Sequence, residues 1–159
     1  MAISARRPAE NEPVRVLVVG VGHLGKNHAR VYTELDDVVL EGVLDSSPDQ
    51  AREIGEKLGV PYFSELTPEL LSRIHAASIV TPTPTHAEVA ARFIEAGVSV
   101  LVEKPMTSTT EEGEVLCKLA EETGVTLQVG HIERFNPVVL SAHPFLRDPV
   151  YIECDRIHP

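Results

Sequence analysis

Three glycines stand where the phosphates of a ligand could meet the start of a helix. The apolar run Val16–Val19 leads directly into Gly20-x-Gly22-x-x-Gly25, and a helix-compatible segment follows. In this pattern Gly20 permits a tight strand-to-helix turn, Gly22 lets a pyrophosphate approach the backbone, and Gly25 lets the helix pack on the strand. The pattern therefore predicts a dinucleotide-binding turn. The residues of this turn that we expect to contact the ligand are Gly20, Gly22, His23, Leu24 and Gly25.

An acidic residue supports this interpretation. Asp45 lies 20 positions after Gly25 and closes the apolar run Val38–Leu44. At that place a carboxylate can accept hydrogen bonds from the ribose hydroxyls of an adenosine, and it disfavours a 2′-phosphate, so we expect NAD rather than NADP. A ligand-free turn is the alternative for the glycines, and a solvated carboxylate or helix cap is the alternative for Asp45. A methyltransferase of similar α/β layout, which would bind S-adenosylmethionine, also remains open at this point.

Helix-start signals divide the rest of the chain into alternating strands and helices. Ser47-Pro48 and Thr67-Pro68 each place a capping hydroxyl before a proline, and Ser47 opens a helix predicted over 48–58. Thr85 and Thr109 each precede a glutamate by three positions, as in a capping box. About six alternations predict an α/β fold with a doubly wound parallel sheet, the Rossmann fold, whose ligands bind beyond the carboxyl ends of the strands. The later strands are predicted at Ala76–Val80, Val98–Val102 and Val125–Val129.

Two of these strand ends carry residues that the fold itself does not require. Glu103-Lys104-Pro105 places a carboxylate, an amine and a rigid turn at the end of a buried strand, where a lysine costs solvation energy unless it is used or paired. Thr81-Pro82 and His86 follow the preceding strand. The simpler alternatives are that Lys104 extends to solvent, that Pro105 ends the strand, and that prolines and a capping threonine explain the other segment.

The order of these motifs resembles the glucose–fructose oxidoreductase, inositol dehydrogenase and MocA family of NAD(P)-dependent sugar oxidoreductases. The resemblance extends from about Val14 to the last predicted strand. It implies that Lys104 lies close to the nicotinamide and the reacting hydroxyl, as the catalytic residue. It also implies that Glu103 contacts the nicotinamide ribose side, and that the peptide bond before Pro105 is cis. The further cofactor-binding residues that it implies are Thr81, Pro82, His86, Glu103, Lys104 and Pro105.

The segment Gly130–Pro137 narrows the resemblance to one branch of the family. It is similar to the segment in enzymes that act on UDP-linked N-acetylated sugars, such as UDP-N-acetylglucosamine 3-dehydrogenases. The resemblance implies a sugar or nucleotide-sugar substrate, with Arg134 and Asn136 near the nicotinamide or the substrate. The alternative is that Asn136-Pro137 is only the start of a helix.

Three segments are expected along the chain: a flexible N-terminus at 1–13, an NAD-binding Rossmann domain at 14–149, and the first strand of a second, α/β substrate domain at 150–159. Members of the resembled family continue into a sheet-rich domain that supplies substrate contacts and the oligomer interface. The resemblance therefore implies that this chain binds NAD without turning over substrate, and that the longer protein is a homo-oligomer. A module that senses NAD, and changes its association with a partner without catalysis, is the alternative from a non-enzyme class.

Composition excludes several other classes of function. The formal net charge of −10 leaves no basic surface for nucleic acid or an anionic membrane. The 2 cysteines, Cys117 and Cys154, are too few for a disulfide framework or a metal cluster, and they fit a reducing cytoplasm. No run approaches the roughly 18 apolar residues that cross a bilayer. We therefore expect a cytoplasmic protein without a bound metal.

Overall fold

A parallel sheet with helices on both faces forms the domain in the computed structural model, which describes residues 5–148 and 150–153. The sheet contains 6 strands in the order β3-β2-β1-β4-β5-β6, and every strand pair is parallel. The order reverses between β1 and β4, which is the place where such sheets bind ligands. The predicted fold class is therefore confirmed. The strands are β1 Val14–Val19, β2 Val38–Leu44, β3 Tyr62–Phe63, β4 Ala76–Ile79, β5 Ser99–Val102 and β6 Leu127–Val129.

Two apolar layers hold the helices against the sheet. Successive residues of β1 point to opposite faces, so Leu17 joins the larger layer and Val18 joins the smaller one. The larger layer includes Phe93 of α4 and Leu116 of α5, and the smaller layer includes Ile54 of α2. The helices are α1 Gly25–Thr33, α2 Pro48–Leu58, α3 Pro68–Arg73, α4 His86–Glu95, α5 Thr110–Thr123 and α6 Pro137–Ala142. Short 3-10 turns cover Thr83–Thr85, Ile132–Phe135 and His143–Phe145.

The predicted helix starts are confirmed, but the capping interaction predicted at Thr85 is wrong. The hydroxyls of Ser47, Thr67 and Thr109 accept hydrogen bonds at the starts of α2, α3 and α5, and the capping box of α5 is complete. Thr85 does not cap α4: its backbone is already helical, and its hydroxyl donates to Pro82 O at 2.8 Å. The prolines before it form a 3-10 turn, whereas a capping residue needs an extended backbone.

The structure describes part of each terminal segment predicted from the sequence, 5–13 and 150–153. In the N-terminal segment Arg6 donates to the Gly97, Ala96 and Ser72 carbonyl oxygens over 2.7–3.0 Å, so this residue is tied to the ends of α3 and α4. No sequence pattern indicated this contact. At the other end 150–153 has no strand, and the rest of the strand expected over 150–159 lies outside the described residues. No helix in the described part of the chain is long and apolar enough to cross a membrane.

The hydroxyl of Tyr32 should make stability fall in alkaline solution. Burial raises the pKa of Tyr32 above 10.0, and a hydrogen bond with Ser78 opposes this in part. Above about pH 10 the unfolded chain therefore releases the proton that the folded chain keeps, so the free energy of unfolding falls as pH rises. We expect Tyr32→Phe to reduce the fall in melting temperature between about pH 9 and about pH 11. Tyr62→Phe, on the exposed edge strand, is the control; an equal fall in wild type and Tyr32→Phe would contradict the prediction.

Candidate functional site

A cleft of about 860 Å³ opens where β1, β2 and β4 end at the reversal of the strand order. The loops that follow these strands supply its floor, and α4 supplies one wall. Five of the predicted site residues line the cleft: Gly20, Gly22, Asp45, Thr81 and Pro82. The structure thus brings the glycine-rich turn, the acidic strand end and the Thr-Pro segment to one place, as the sequence predicted.

The three glycines of the turn have different reasons to be glycine. A Cβ on Gly20 would lie 2.7 Å from Val80 O, and one on Gly25 would lie 1.8 Å from Gly20 O. At these two positions the backbone of the protein leaves no room for a side chain. A Cβ on Gly22 would meet only the Gln50 carboxamide nitrogen, at an ordinary 3.7 Å. Since nothing in the fold requires glycine at position 22, the open space beside it is available to a ligand.

Asp45 holds the glycine-rich turn as well as facing the cleft. Its Oδ2 accepts a hydrogen bond from the Val21 amide at 2.8 Å, inside the turn. The same oxygen accepts from Gln50 Nε2 at 3.2 Å, and Oδ1 accepts from the Ser47 amide at 2.9 Å. These donors are all neutral, so the negative charge of Asp45 has no cation beside it in these contacts. A substitution of Asp45 would therefore disturb the turn and the ligand contact together.

The ring of His86 contacts two of the segments that follow predicted strands. The residue is buried, and its Nε2 lies 2.7 Å from Thr81 O while its Nδ1 lies 2.9 Å from Pro105 O. It does not line the cleft. The structure thus places His86 between the Thr81-Pro82 segment and the Lys104-Pro105 turn, where it fixes the separation of the two.

Glu103 is buried inside the domain, where it contacts the half-buried His28. Its Oε1 is 3.2 Å from Nε2 of His28 on α1, and its Oε2 accepts a hydrogen bond from the Lys104 amide at 3.0 Å. Nδ1 of His28 is 2.9 Å from the hydroxyl of Ser78, which is fully buried on β4. A Cβ on Gly130 would lie 2.7 Å from Oε1 of Glu103, so glycine leaves room for the carboxylate. This group connects the helix of the glycine-rich turn to the turn that carries Lys104.

Lys104 is exposed at the carboxyl end of β5, next to the strand that ends in the cleft. The peptide bond between Lys104 and Pro105 is cis, as the resemblance implied. The amine has no hydrogen bond or ion pair within the described residues. Its backbone is held by Glu103, and the following carbonyl is held by His86. The side chain thus presents an unpaired amine from a fixed turn.

The remaining predicted site residues lie away from the cleft. His23 and Leu24 are exposed on the outside of the glycine-rich turn. Arg134 is exposed on a 3-10 turn, and Asn136 caps α6 by accepting from the Val138 amide at 2.9 Å. The helix-start alternative for Asn136 is thus present in the structure, and the expected contact with nicotinamide or substrate stays a prediction.

The cleft also contains residues that sequence reasoning missed. Gln50 lines it from the first turn of α2, and no sequence pattern predicted a role for this residue at the site. Ser64–Leu66 line it after the edge strand β3, which is 2 residues long and carries no periodic signal. Arg92 lines it from α4, where helical spacing alone does not separate a cleft residue from a solvent-facing one. Among the described residues there is no cluster of three or more His, Cys, Asp or Glu that could hold a metal.

A protein-family model covers nearly all of this site. The Gfo/Idh/MocA model, described as an oxidoreductase family with an NAD-binding Rossmann fold, matches residues 14–131. The chain belongs to this family. Membership decides against the methyltransferase alternative, and it confirms the expected family and NAD as the expected cofactor.

The relatives of this Gfo/Idh/MocA chain include a nucleotide-sugar dehydrogenase and an inositol dehydrogenase. The chain is 39% identical over 151 residues to UDP-N-acetylglucosamine 3-dehydrogenase of Acidithiobacillus ferrooxidans. This alignment covers 92% of this chain and 46% of the relative. It is also 37% identical over 132 residues to scyllo-inositol 2-dehydrogenase (NAD(+)) of Bacillus subtilis. This alignment covers 81% of this chain and 39% of the relative. The chain therefore spans less than half the length of these curated relatives.

Solved structures show the same relationship. The Acidithiobacillus ferrooxidans enzyme aligns with a TM-score of 0.79 over 84% of this chain and 44% of that one, at 39% identity. GenD2 from gentamicin A biosynthesis, solved in complex with NAD, aligns with a TM-score of 0.81 over 91% of this chain and 42% of that one, at 31% identity. The similarity thus extends over the fold that surrounds the cleft.

Proposed function

We propose that this chain is the NAD-binding domain of a dehydrogenase that oxidises a hydroxyl-bearing carbon of a sugar, with a UDP-linked N-acetylated hexose as substrate. The observation that carries the proposal is the open space at Gly22 beside Asp45, with the unpaired amine of Lys104 at a neighbouring strand end. The first feature fits a dinucleotide and the second fits proton removal. In the longer protein we propose a cytoplasmic homo-oligomer.

Each group at the site has a distinct task in this proposal. The pyrophosphate passes over Gly22 at the start of α1, and Asp45 binds the adenosine ribose. NAD supplies the hydride acceptor when it is bound. Lys104 removes the hydroxyl proton of the substrate as a general base, which typically accelerates a reaction by about 10²–10⁴-fold. Glu103, Arg134 and Asn136 stay predicted contacts of the nicotinamide or the substrate.

Sequence similarity supports a nucleotide-sugar substrate, and an experiment can distinguish it from a polyol substrate. One relative is named for UDP-N-acetylglucosamine and another for scyllo-inositol, and both match the greater part of this chain. Since the chain covers less than half of each, most of the substrate contacts would lie in residues of the longer protein. UDP-N-acetylglucosamine and scyllo-inositol are therefore the two substrates to compare.

Replacing Lys104 should stop turnover without stopping cofactor binding. In a protein of the relatives' length that contains these residues, we expect Lys104→Ala to lower kcat by about 10²–10⁴-fold. The affinity for NAD, measured by calorimetry, should stay within about twofold, since Gly22 and Asp45 are unchanged. NADH formation is followed with both substrates, and Lys118→Ala on the exposed face of α5 is the control.

Two results would reject this assignment. Wild-type turnover in Lys104→Ala would show that another group takes the proton. Binding of NAD with no turnover of either substrate, together with a change of assembly state when NAD binds, would favour the NAD-sensing module instead.

A further inference from the structure

Asp45 has too few free acceptor sites to bind both hydroxyls of an adenosine ribose alone. Its Oδ2 accepts from the Val21 amide at 2.8 Å and from Gln50 Nε2 at 3.2 Å. Its Oδ1 accepts from the Ser47 amide at 2.9 Å. Since a carboxylate offers about four lone-pair sites, these donors leave about one free, on Oδ1. The second ribose hydroxyl therefore needs another partner.

Gln50 has the polar groups that Asp45 lacks. It lies in the first turn of α2, is half-buried and lines the cleft. Its Nε2 is 3.7 Å from the place that a Cβ on Gly22 would take, so the carboxamide lies between the ribose and pyrophosphate positions of the proposed ligand. One N–H of the carboxamide is used on Asp45, and the carboxamide oxygen has no partner among the described residues.

We propose that Gln50 is a second ribose-binding residue, an inference that rests on the proposed function because its ligand is the adenosine half of NAD. Asp45 Oδ1 accepts one ribose hydroxyl, and the carboxamide oxygen of Gln50 accepts the other. The hydrogen bond to Asp45 holds the nitrogen of the carboxamide and leaves its oxygen available to the ribose. Because the side chain is already held, ligand binding costs little further side-chain entropy. If Gln50 accepts from the 2′ hydroxyl, it also disfavours NADP, because the 2′-phosphate of NADP replaces this donor with an acceptor.

The test removes the side chain and each ribose hydroxyl in turn. Calorimetry on this chain gives the Kd of ADP, 2′-deoxy-ADP and 3′-deoxy-ADP. In wild type we expect each missing hydroxyl to weaken binding by up to about tenfold, the effect of one hydrogen bond. In Gln50→Leu we expect weaker ADP binding, and one of the two deoxy analogues should bind within about twofold of ADP because its missing hydroxyl no longer has a partner. The hydroxyl that this analogue lacks is the one that donates to Gln50 in the wild type.

Two further variants separate this role from a structural one. Gln50→Glu keeps an acceptor oxygen but replaces the donor to Asp45 with a second negative charge, so we expect weaker binding of all three nucleotides while each missing hydroxyl still weakens binding further. Gln128→Leu makes the same substitution as the test variant on the exposed strand β6 and should keep the wild-type values. Wild-type ratios for both analogues in a folded Gln50→Leu chain would overturn the inference and leave the proposed function standing. Failure of the wild-type chain to bind ADP and NAD would overturn both.

Discussion

Gly22→Val is expected to abolish NAD binding while the domain stays folded. The new side chain would enter open space, because the nearest atom to a Cβ at position 22 is Gln50 Nε2 at 3.7 Å. That space is where the pyrophosphate would meet the backbone at the start of α1, and a β-branched side chain would fill it. We expect the Kd for NAD to rise by at least about 100-fold, a loss of at least about 2.7 kcal/mol. Calorimetry measures the affinity, and circular dichroism checks the fold.

Valine at position 25 provides the contrast. A Cβ on Gly25 would lie 1.8 Å from Gly20 O, a backbone atom that cannot move without opening the turn. Gly25→Val should therefore lose the fold rather than the ligand alone, with more than about 3 kcal/mol of destabilisation. Near-normal NAD affinity in a folded Gly22→Val chain would show that the pyrophosphate does not pass over this residue.

The parts of the site that were predictable depend on local sequence. The glycine-rich turn, Asp45 and the strand ends could be predicted because each follows an apolar run, and parallel strands bring their carboxyl ends to one edge. The helix starts at Ser47 and Thr109 were predictable for the same reason, since a capping hydroxyl acts on an amide only three residues away. The capping prediction failed at Thr85, because Pro82 and Pro84 place this residue in a 3-10 turn and its backbone is already helical.

The parts that were not predictable depend on contacts between distant residues. His28 reaches Glu103 across 75 positions of sequence, and no spacing rule connects them. Gln50 lies in the first turn of α2, but its side chain contacts Asp45 at the end of the preceding strand. His86 stays a predicted cofactor contact, and its two contacts to backbone carbonyls became visible only with the fold. Such partners depend on which helix packs on which strand, and a single sequence does not show that.

The pair of the half-buried His28 and the buried Glu103 is expected to have the largest effect on stability among the side-chain contacts of the site. His28→Leu would leave the Glu103 carboxylate, which is 6% exposed, without its contact at Oε1, and it would remove one of the two hydrogen-bond partners of the buried Ser78 hydroxyl. A buried charge that loses its partner costs about 3–5 kcal/mol. We expect the free energy of unfolding, from urea titration, to fall by about 3 kcal/mol. Lys26→Leu, an exposed change on the same helix, should alter it by no more than about 0.5 kcal/mol.

A second substitution determines whether the loss comes from the unpaired charge. Glu103→Gln removes the charge but keeps an oxygen that can accept from the Lys104 amide. In the wild-type background we expect this change to destabilise, because it weakens the contact with His28. In the His28→Leu background it should instead restore about 1 kcal/mol or more, since a neutral amide costs less to bury than an unpaired carboxylate. The same sign and size of effect in both backgrounds would mean that the two side chains are not coupled, and that the loss in His28→Leu comes from packing alone.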